Sequence, residues 1–270
     1  MDEYRFPNKK AVEDQKENLF DADLSNMNLG EADLSGAQLA LANLIGARLS
    51  GANLSNAVLS HADLRDARLF STDLSGAIIT EADLDGANFL GACFCNTDLS
   101  ESSLIGANLS EADLRHSWLN ETNLSRANLS NADLDNATFS GVNLSGANLK
   151  KAYVSNGNLS EAILDGANLS QTDLSGTNLT GADLRHAYLD RSILIKTNLR
   201  NAILSYAQMR KANLLGANLL DADLRMADLR GANLTEADLS TANLSHANME
   251  GAIFCNTLTP WGEDNSGCRK

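Results

Sequence analysis

The chain has 270 residues and a formal net charge of −14, the wrong sign for a protein that binds nucleic acid or anionic membranes through clustered Lys and Arg. Aromatic residues make up only 5% of a sequence that is 43% hydrophobic, so a conventional thick core built on large rings is not expected. No run of about 18 apolar residues occurs, which predicts that nothing in the chain spans a membrane.

Residues 1–21 precede the regular part of the sequence. This segment opens with acidic residues and no apolar stretch, so it lacks the features of a secretory signal, and a cytoplasmic protein is expected. Residues 9–18, KKAVEDQKEN, are helix-favouring. Because the end of a repeat array exposes its core, we predict that this short helix caps the N-terminal end.

Residues 22–255 carry a repeat with a period of five. Every fifth residue from Leu24 to Phe254 is large and apolar, which makes 47 consecutive repeats without insertion or deletion. A small residue, usually Ala, stands two positions earlier, with mostly Asp or Asn between, so the unit reads A-(D/N)-L-(S/R)-G. A helix repeats every 3.6 residues and a strand every 2, so a strict period of five fits neither.

This unit resembles the pentapeptide repeat family. The resemblance implies an all-β fold, a right-handed quadrilateral parallel β-helix in which four repeats form one coil. The central apolar residue and the small residue two positions before it would point inward, and the whole array would make about twelve coils. The left-handed hexapeptide β-helix is the nearest rival, but its six-residue period is absent. At twenty residues per coil, five asparagines should stack as a side-chain amide ladder: Asn88, Asn108, Asn128, Asn148 and Asn168.

The tail, residues 256–270, loses the repeat and contains Pro260, Trp261 and Gly262. Two alternatives remain open for it: Trp261 covers the last coil as a lid, or the segment is disordered. The tail is similar to C-terminal tails of cyanobacterial family members, which identifies the chain as a cyanobacterial-type member.

The sequence predicts no catalytic residue, metal site or cofactor. The histidines all stand two positions after the central apolar residue, an outward corner position, on more than one face: His61, His116, His186 and His246. Cys93 and Cys95 flank Phe94 and should both point outward, but the C-x-C pair lacks a second pair in register. Cys95 and Cys255 would be eight coils apart, too far for a disulfide. Cys268 could reach Cys255 if the tail folds back, although reduced thiols are expected.

Charge is unevenly distributed, with a net −12 over residues 1–150 and −2 over residues 151–270. Folded at twenty residues per coil, the cations from residue 150 onward gather along one corner and an adjoining face. They are either an ordinary solvated surface or a docking strip for an acidic partner. The candidate partner-binding residues are Lys150, Lys151, Arg185, Arg191, Arg210, Lys211, Arg225 and Arg230.

Outward apolar residues offer a second possible interface, because contiguous exposed apolar patches often mark binding sites. Three groups should each share a face: Ile193, Ile195 and Leu215; Phe70 and Leu90; and Val58, Ile78 and Trp118.

These observations favour a non-catalytic interaction protein, a rigid scaffold whose surface binds another protein, with self-association as one possibility. The alternative is DNA mimicry, since some members of the resembled family bind DNA gyrase and protect it from quinolones. The acidic first half suits that alternative. The basic corner of the second half and the absence of projecting loops from the repeat do not.

Overall fold

A computed structural model describes residues 5–268 of the chain. Its regular elements are an α-helix, α1 (Lys9–Glu13), a 3-10 helix (Lys16–Asn18), and two strands, β1 (Thr257–Thr259) and β2 (Gly262–Asp264). No helix in this described part is long and apolar enough to cross a bilayer. Residues 1–4 and 269–270, the outer ends of the predicted N-terminal segment and tail, lie outside the described residues.

The chain forms two compact units, unit 1 (Met1–Thr138) and unit 2 (Phe139–Lys270). Within unit 1, each residue before a central apolar position pairs in parallel with the residue twenty positions later, as Asp23 does with Asn43. The N–H of Leu24 donates to the carbonyl of Asn43 at 2.8 Å, and the N–H of Asn43 donates to the carbonyl of Ala22 at 2.9 Å. The same register runs through unit 2, from residue 143 to residue 258. Each unit is therefore a β-helix-like solenoid with four repeats per coil and almost no helix, as predicted.

The corner of each repeat lies two residues after the central position, where the backbone turns through positive φ. Gly36 has a φ of 68° there and Asn26 a φ of 59°. Glycine adopts this conformation without the steric cost of a Cβ, and asparagine tolerates it better than most residues. This requirement explains why Gly recurs as the fifth residue of the unit.

Leu and Ala fill the interior of both units, as the resemblance implies. Leu54 and Ala57 of unit 1, for example, are each 0% exposed. Where Thr replaces Ala, the hydroxyl donates to a backbone carbonyl, as Thr97 Oγ1 does to Leu74 at 2.8 Å. A buried hydroxyl without a partner would be costly, so this bond makes Thr acceptable in the small position.

The predicted amide ladder is present in unit 1. The Asn108 Nδ2 donates to Asn88 Oδ1 at 3.1 Å, and the Asn128 Nδ2 donates to Asn108 Oδ1 at 3.1 Å. In unit 2, the backbones of Asn148 and Asn168 are direct bridge partners. The side chains of Asn88, Asn108 and Asn128 therefore join successive coils of unit 1 and have a structural role.

The N-terminal helices cover the first coil of unit 1. Val12 of α1 is fully buried. The Glu13 carboxylate accepts the N–H of Asp33 at 3.1 Å, and the Lys16 carbonyl accepts the N–H of Gln38 at 2.8 Å. In later coils the preceding coil accepts such donors, so the cap satisfies an edge that would otherwise be open. The helix predicted over residues 9–18 is thus present as two short pieces.

The tail forms a hairpin in which β1 and β2 pair antiparallel. Leu258 also bridges Asp238 in parallel, so the twenty-residue register continues for one further repeat. Thr257 and Thr259 take the two inward positions of that repeat and are buried, whereas Trp261 is 59% exposed. The last coil is therefore extended by the two threonines, and Trp261 is not a lid.

The expectation of reduced thiols in the tail is wrong. Cys255 and Cys268 form a disulfide, with their Cα atoms 4.7 Å apart. The hairpin brings them together, because it returns the chain to Phe254, whose carbonyl accepts the N–H of Gly267 at 2.7 Å. Cys93 and Cys95 are free thiols.

Candidate functional site

The eight cations predicted to bind a partner lie in unit 2, on two of its corners. The twenty-residue register stacks the turns of each corner, since the N–H of Arg191 donates to the carbonyl of Arg210, and the N–H of Lys211 donates to that of Arg230, both at 2.9 Å. The basic corner consists of Lys150, Lys151, Arg191, Arg210, Lys211 and Arg230. The aromatic corner holds Arg185 and Arg225 together with His186, Tyr206, Met226 and His246.

Half of the predicted cations are neutralised by neighbouring aspartates. On the basic corner, the Arg230 guanidinium contacts Asp228 through Nε–Oδ1 and Nη2–Oδ2 distances of 2.8 and 2.6 Å. Arg210 forms the same two-point contact with Asp190, one coil earlier. These contacts raise the pKa of both arginines and lower the pKa of Asp228.

The aromatic corner repeats this arrangement. The Arg225 Nε and Nη2 atoms lie 2.8 and 2.7 Å from the two carboxylate oxygens of Asp223, and Arg185 is held in the same way by Asp183. The hydrogen bonds from the arginines lower the pKa of both aspartates. Sequence reasoning missed these pairs, although an Asp and an Arg on either side of an inward Leu must both point outward.

Four of the predicted cations are open, by which we mean exposed and without an acidic partner among the described residues. Lys150, Lys151, Arg191 and Lys211 are exposed, and within residues 5–268 no acidic side chain lies at ion-pair distance from them. The positive potential of the basic corner therefore comes mainly from these four side chains.

Large side chains project from the aromatic corner. The rings of His186 and Tyr206 stack with their centroids 5.5 Å apart, and His186 Nδ1 lies 2.9 Å from Asp165 Oδ1. Tyr206 is 55% exposed and Met226 is 49% exposed. With His246 and Arg225, they line a surface groove of about 460 Å³.

The face between the two corners carries a third large ring, Tyr188. It lies in a column of bridge partners between Asn168 and Gln208, and it is exposed. We refer to this face with its two corners as the docking face. Tyr, Met and Arg are the residue types enriched at protein interfaces, and the docking face presents all three.

The predicted apolar groups are less continuous than expected. Val58 and Ile78 are direct bridge partners, but Asp98 lies between Ile78 and Trp118 in the same column. Ile193 is exposed beside Asn213, while Ile195 and Leu215 are only partly exposed. Phe70 is exposed, and Leu90, one coil later, is only partly exposed. The predicted groups are therefore small separate clusters rather than one patch, and we take the docking face as the candidate site for a partner.

The free thiols have a neighbour that the sequence reasoning did not consider. The Sγ atoms of Cys93 and Cys95 and a carboxylate oxygen of Asp113 all lie within 4.8 Å of one another. Burial, with hydrogen bonds to Asp113 and Cys93, raises the pKa of Cys95 to about 12. A hydrogen bond from Arg115 lowers the pKa of Asp113 to about 2. The missed signal is the spacing of twenty residues from Cys93 to Asp113.

The histidines do not converge in this way. No cluster of three potential metal ligands within residues 5–268 includes a histidine. The His61 Nδ1 atom instead lies 3.6 Å from Glu81 Oε2 of the next coil.

Comparison with known proteins agrees with this geometry. The sequence model of the pentapeptide repeats matches eight times, over residues 18–56, 37–76, 47–85, 62–101, 107–146, 143–181, 182–221 and 222–258. HetL from the cyanobacterium Nostoc sp. strain PCC 7120, described as a pentapeptide repeat protein involved in heterocyst differentiation regulation, is similar in structure. The identity is 30% over 94% of this chain and 95% of HetL, with a TM-score of 0.70.

Two other solved structures match a smaller part of this chain, with lower TM-scores. A trypsin-treated variant of QnrB1, a plasmid-mediated fluoroquinolone resistance protein, is 19% identical over 64% of this chain and 89% of its own, with a TM-score of 0.40. Rfr23 from the cyanobacterium Cyanothece 51142 is 33% identical over 40% of this chain and 63% of its own, with a TM-score of 0.18. No curated protein sequence gives a significant match. The eight matches to the repeat model and the similarity to HetL show that this chain belongs to the pentapeptide repeat family.

Proposed function

We propose that this protein is a non-catalytic scaffold that binds another protein through the docking face of unit 2. The observation that carries the proposal is the exposure of Tyr206 and Met226 on a rigid wall whose next corner holds open cations such as Lys211. A fixed wall loses little conformational entropy on binding, so exposed rings on it are well suited to anchor a partner. The open lysines and arginine favour an acidic surface on that partner.

The likeness to HetL supports a regulatory use of this scaffold. HetL is involved in the regulation of heterocyst differentiation, and this chain aligns with it over 94% of its length. We accordingly propose that binding to the docking face regulates the partner. The proposal places the protein in the cytoplasm and expects no direct contact with nucleic acid. It also keeps the right-handed winding and the count of about twelve coils that membership of the family implies.

The proposal does not extend to gyrase binding. The bridges continue without a projecting loop from residue 23 to residue 138 and from residue 143 to residue 258. A supercoiling assay separates the two functions. Under the scaffold proposal, gyrase activity is unchanged at micromolar concentrations of this protein.

Affinity capture from the native organism, with matched variants as bait, tests the docking face. Arg191→Glu with Lys211→Glu reverses two open cations, and Tyr206→Ala with Met226→Ala removes two anchors. Lys196→Glu is the control, since Lys196 occupies the same kind of positive-φ turn position as Lys211, with φ of 54° against 57°, but on another corner.

The binding constant of the captured partner, purified and titrated against each variant, gives the result. Each double variant should lose about tenfold or more in affinity, the range of interface anchor residues, and Lys196→Glu should bind as the unmodified protein does. Equal affinity for all variants would remove the docking face from the proposal.

A further inference from the structure

A second feature lies in unit 1 and is independent of the docking face. Among residues 5–268, one cluster brings three potential metal ligands together: the thiols of Cys93 and Cys95 and the carboxylate of Asp113, with ligand atoms within 4.8 Å of one another. We propose that this cluster is a binding site for a thiophilic divalent cation of the Zn²⁺ class.

The coil geometry places these ligands on two adjacent turns. Phe94 is buried, so Cys93 and Cys95 on either side of it both lie at the surface, where each is half-buried. Cys93 bridges Asp113 in parallel, and the N–H of Phe94 donates to the Asp113 carbonyl at 2.6 Å. The backbone of the solenoid therefore fixes the spacing of the three ligands.

The donor set suits a soft or borderline cation. Zn–S bonds of about 2.3 Å place two sulfurs that share an ion at most about 4.6 Å apart. The ligand atoms of the cluster, all within 4.8 Å of one another, are already near that spacing. Thiolates select Zn²⁺ and softer ions, whereas Mg²⁺ and Ca²⁺ prefer oxygen ligands. Three protein ligands leave a fourth position open to water or to another ligand.

The charges of the cluster are balanced by Arg115. Two thiolates, a carboxylate and a divalent ion carry a net charge of about −1, and the Arg115 Nε lies 2.8 Å from Asp113 Oδ1. The same nitrogen lies 3.6 Å from Asp133 Oδ2 on the next coil. Arg115 thus keeps an acidic partner when Asp113 turns toward an ion. On binding, each S–H bond is replaced by a sulfur–metal bond and the two protons leave to solvent.

Unit 1 also contains a matched control for Asp113. Arg65 Nε lies 2.9 Å from Asp63 Oδ1 and 3.5 Å from Asp83 Oδ2, which repeats the pattern around Arg115. One coil earlier, however, stand Asn43 and Ile45 in the positions that the cysteines occupy beside Asp113. Asp63 therefore has the carboxylate and the arginine without the thiols.

The experiment is a titration of the full-length protein with Cd²⁺ and with Zn²⁺, after thiol titration has verified two free cysteines. Cadmium bound by thiolates gives an ultraviolet charge-transfer band, which histidine or carboxylate binding does not. One ion per chain should bind, with release of about two protons, one from each thiol. Cys93→Ser and Cys95→Ser should each lose the band, and Asp113→Asn should bind about tenfold or more weakly.

Two controls should keep the full band and affinity: Asp63→Asn, and the pair Cys255→Ser with Cys268→Ser. Retention of the band in Cys93→Ser or Cys95→Ser would overturn the assignment, as would unchanged affinity in Asp113→Asn. Absence of Cd²⁺ and Zn²⁺ binding by the unmodified protein would overturn it outright.

Discussion

At the scale of the residue, the role of each side chain depends on whether it points into the core or toward solvent. In the unit A-(D/N)-L-(S/R)-G, the first and third residues are inward and the others lie at the surface. Leu214 is 0% exposed, whereas Leu215, the next residue in the chain, is only partly buried. Two identical side chains on neighbouring residues therefore make different contributions to the free energy of unfolding.

Replacement of each leucine by alanine measures this difference. Leu214→Ala leaves a cavity in a narrow core built mainly of Leu and Ala, so we expect a loss of about 2–5 kcal/mol in the free energy of unfolding. Leu215→Ala removes surface contacts and should cost less than about 1 kcal/mol. Denaturant titration followed by circular dichroism gives both values. Similar losses for the two variants would contradict the assigned directions.

The order of residues in the sequence predicted which side chains point inward, but it missed which surface side chains pair with one another. The inward positions of Leu214 and of the other central residues follow from the period of five. The pairing of Arg185 with Asp183, and of Cys93 with Asp113, depends on side-chain rotamers and on neighbours twenty residues away. A sequence read one repeat at a time shows neither the rotamer nor the neighbour.

At the scale of the element, the two ends of the chain differ from the repeats because each must satisfy an edge. The N-terminal helices supply Glu13 and the Lys16 carbonyl to the first coil, and β1 adds Thr257 and Thr259 to the last. The helix-favouring composition of residues 9–18 predicted the first device. The extension of the last coil by β1 was not predicted, because Thr259 is polar and stands where the repeat has a large apolar residue. The repeat was therefore expected to stop at residue 255.

The contact between cap and coil should depend on pH. Hydrogen bonds from Ser35, and then the contact with Lys16, lower the pKa of Asp33 from 3.8 to about 2. Since the pKa is lowered on folding, the ionised carboxylate stabilises the folded state above pH 3.8, and this contribution is lost as the pH falls toward 2. The part that comes from Lys16 stabilises the contact between cap and coil. The protection factor of the Gln38 amide, whose N–H donates to the Lys16 carbonyl of the cap, should fall over that interval.

Asp33→Asn supplies the comparison for this pH dependence. The variant has no carboxylate to protonate at this position, so the protection factor of its Gln38 amide should change less between pH 4 and pH 2, the interval in which Asp33 titrates. An identical pH profile in the variant and the unmodified protein would show that Asp33 does not hold the cap.

At the scale of the whole molecule, the regular interior leaves the surface as the place where function can reside. The sequence predicted both the open cations and the C-x-C pair, but it assigned no metal site. The structure adds the aromatic corner around Tyr206 to the first and Asp113 to the second. These sites lie in different units, so their functions can be tested independently.

Both sites depend on the register of twenty residues per coil, and a disulfide cross-link tests that register most directly. Ser60 Oγ and Thr80 Oγ1 lie 2.9 Å apart, twenty positions from each other in the chain. In a background with Cys93→Ser and Cys95→Ser, the pair Ser60→Cys and Thr80→Cys should form a disulfide on mild oxidation, detected by mass spectrometry. The pair Ser60→Cys and Ser75→Cys, three repeats apart, should remain reduced. Cross-linking of the second pair in place of the first would contradict the fold on which both sites are built.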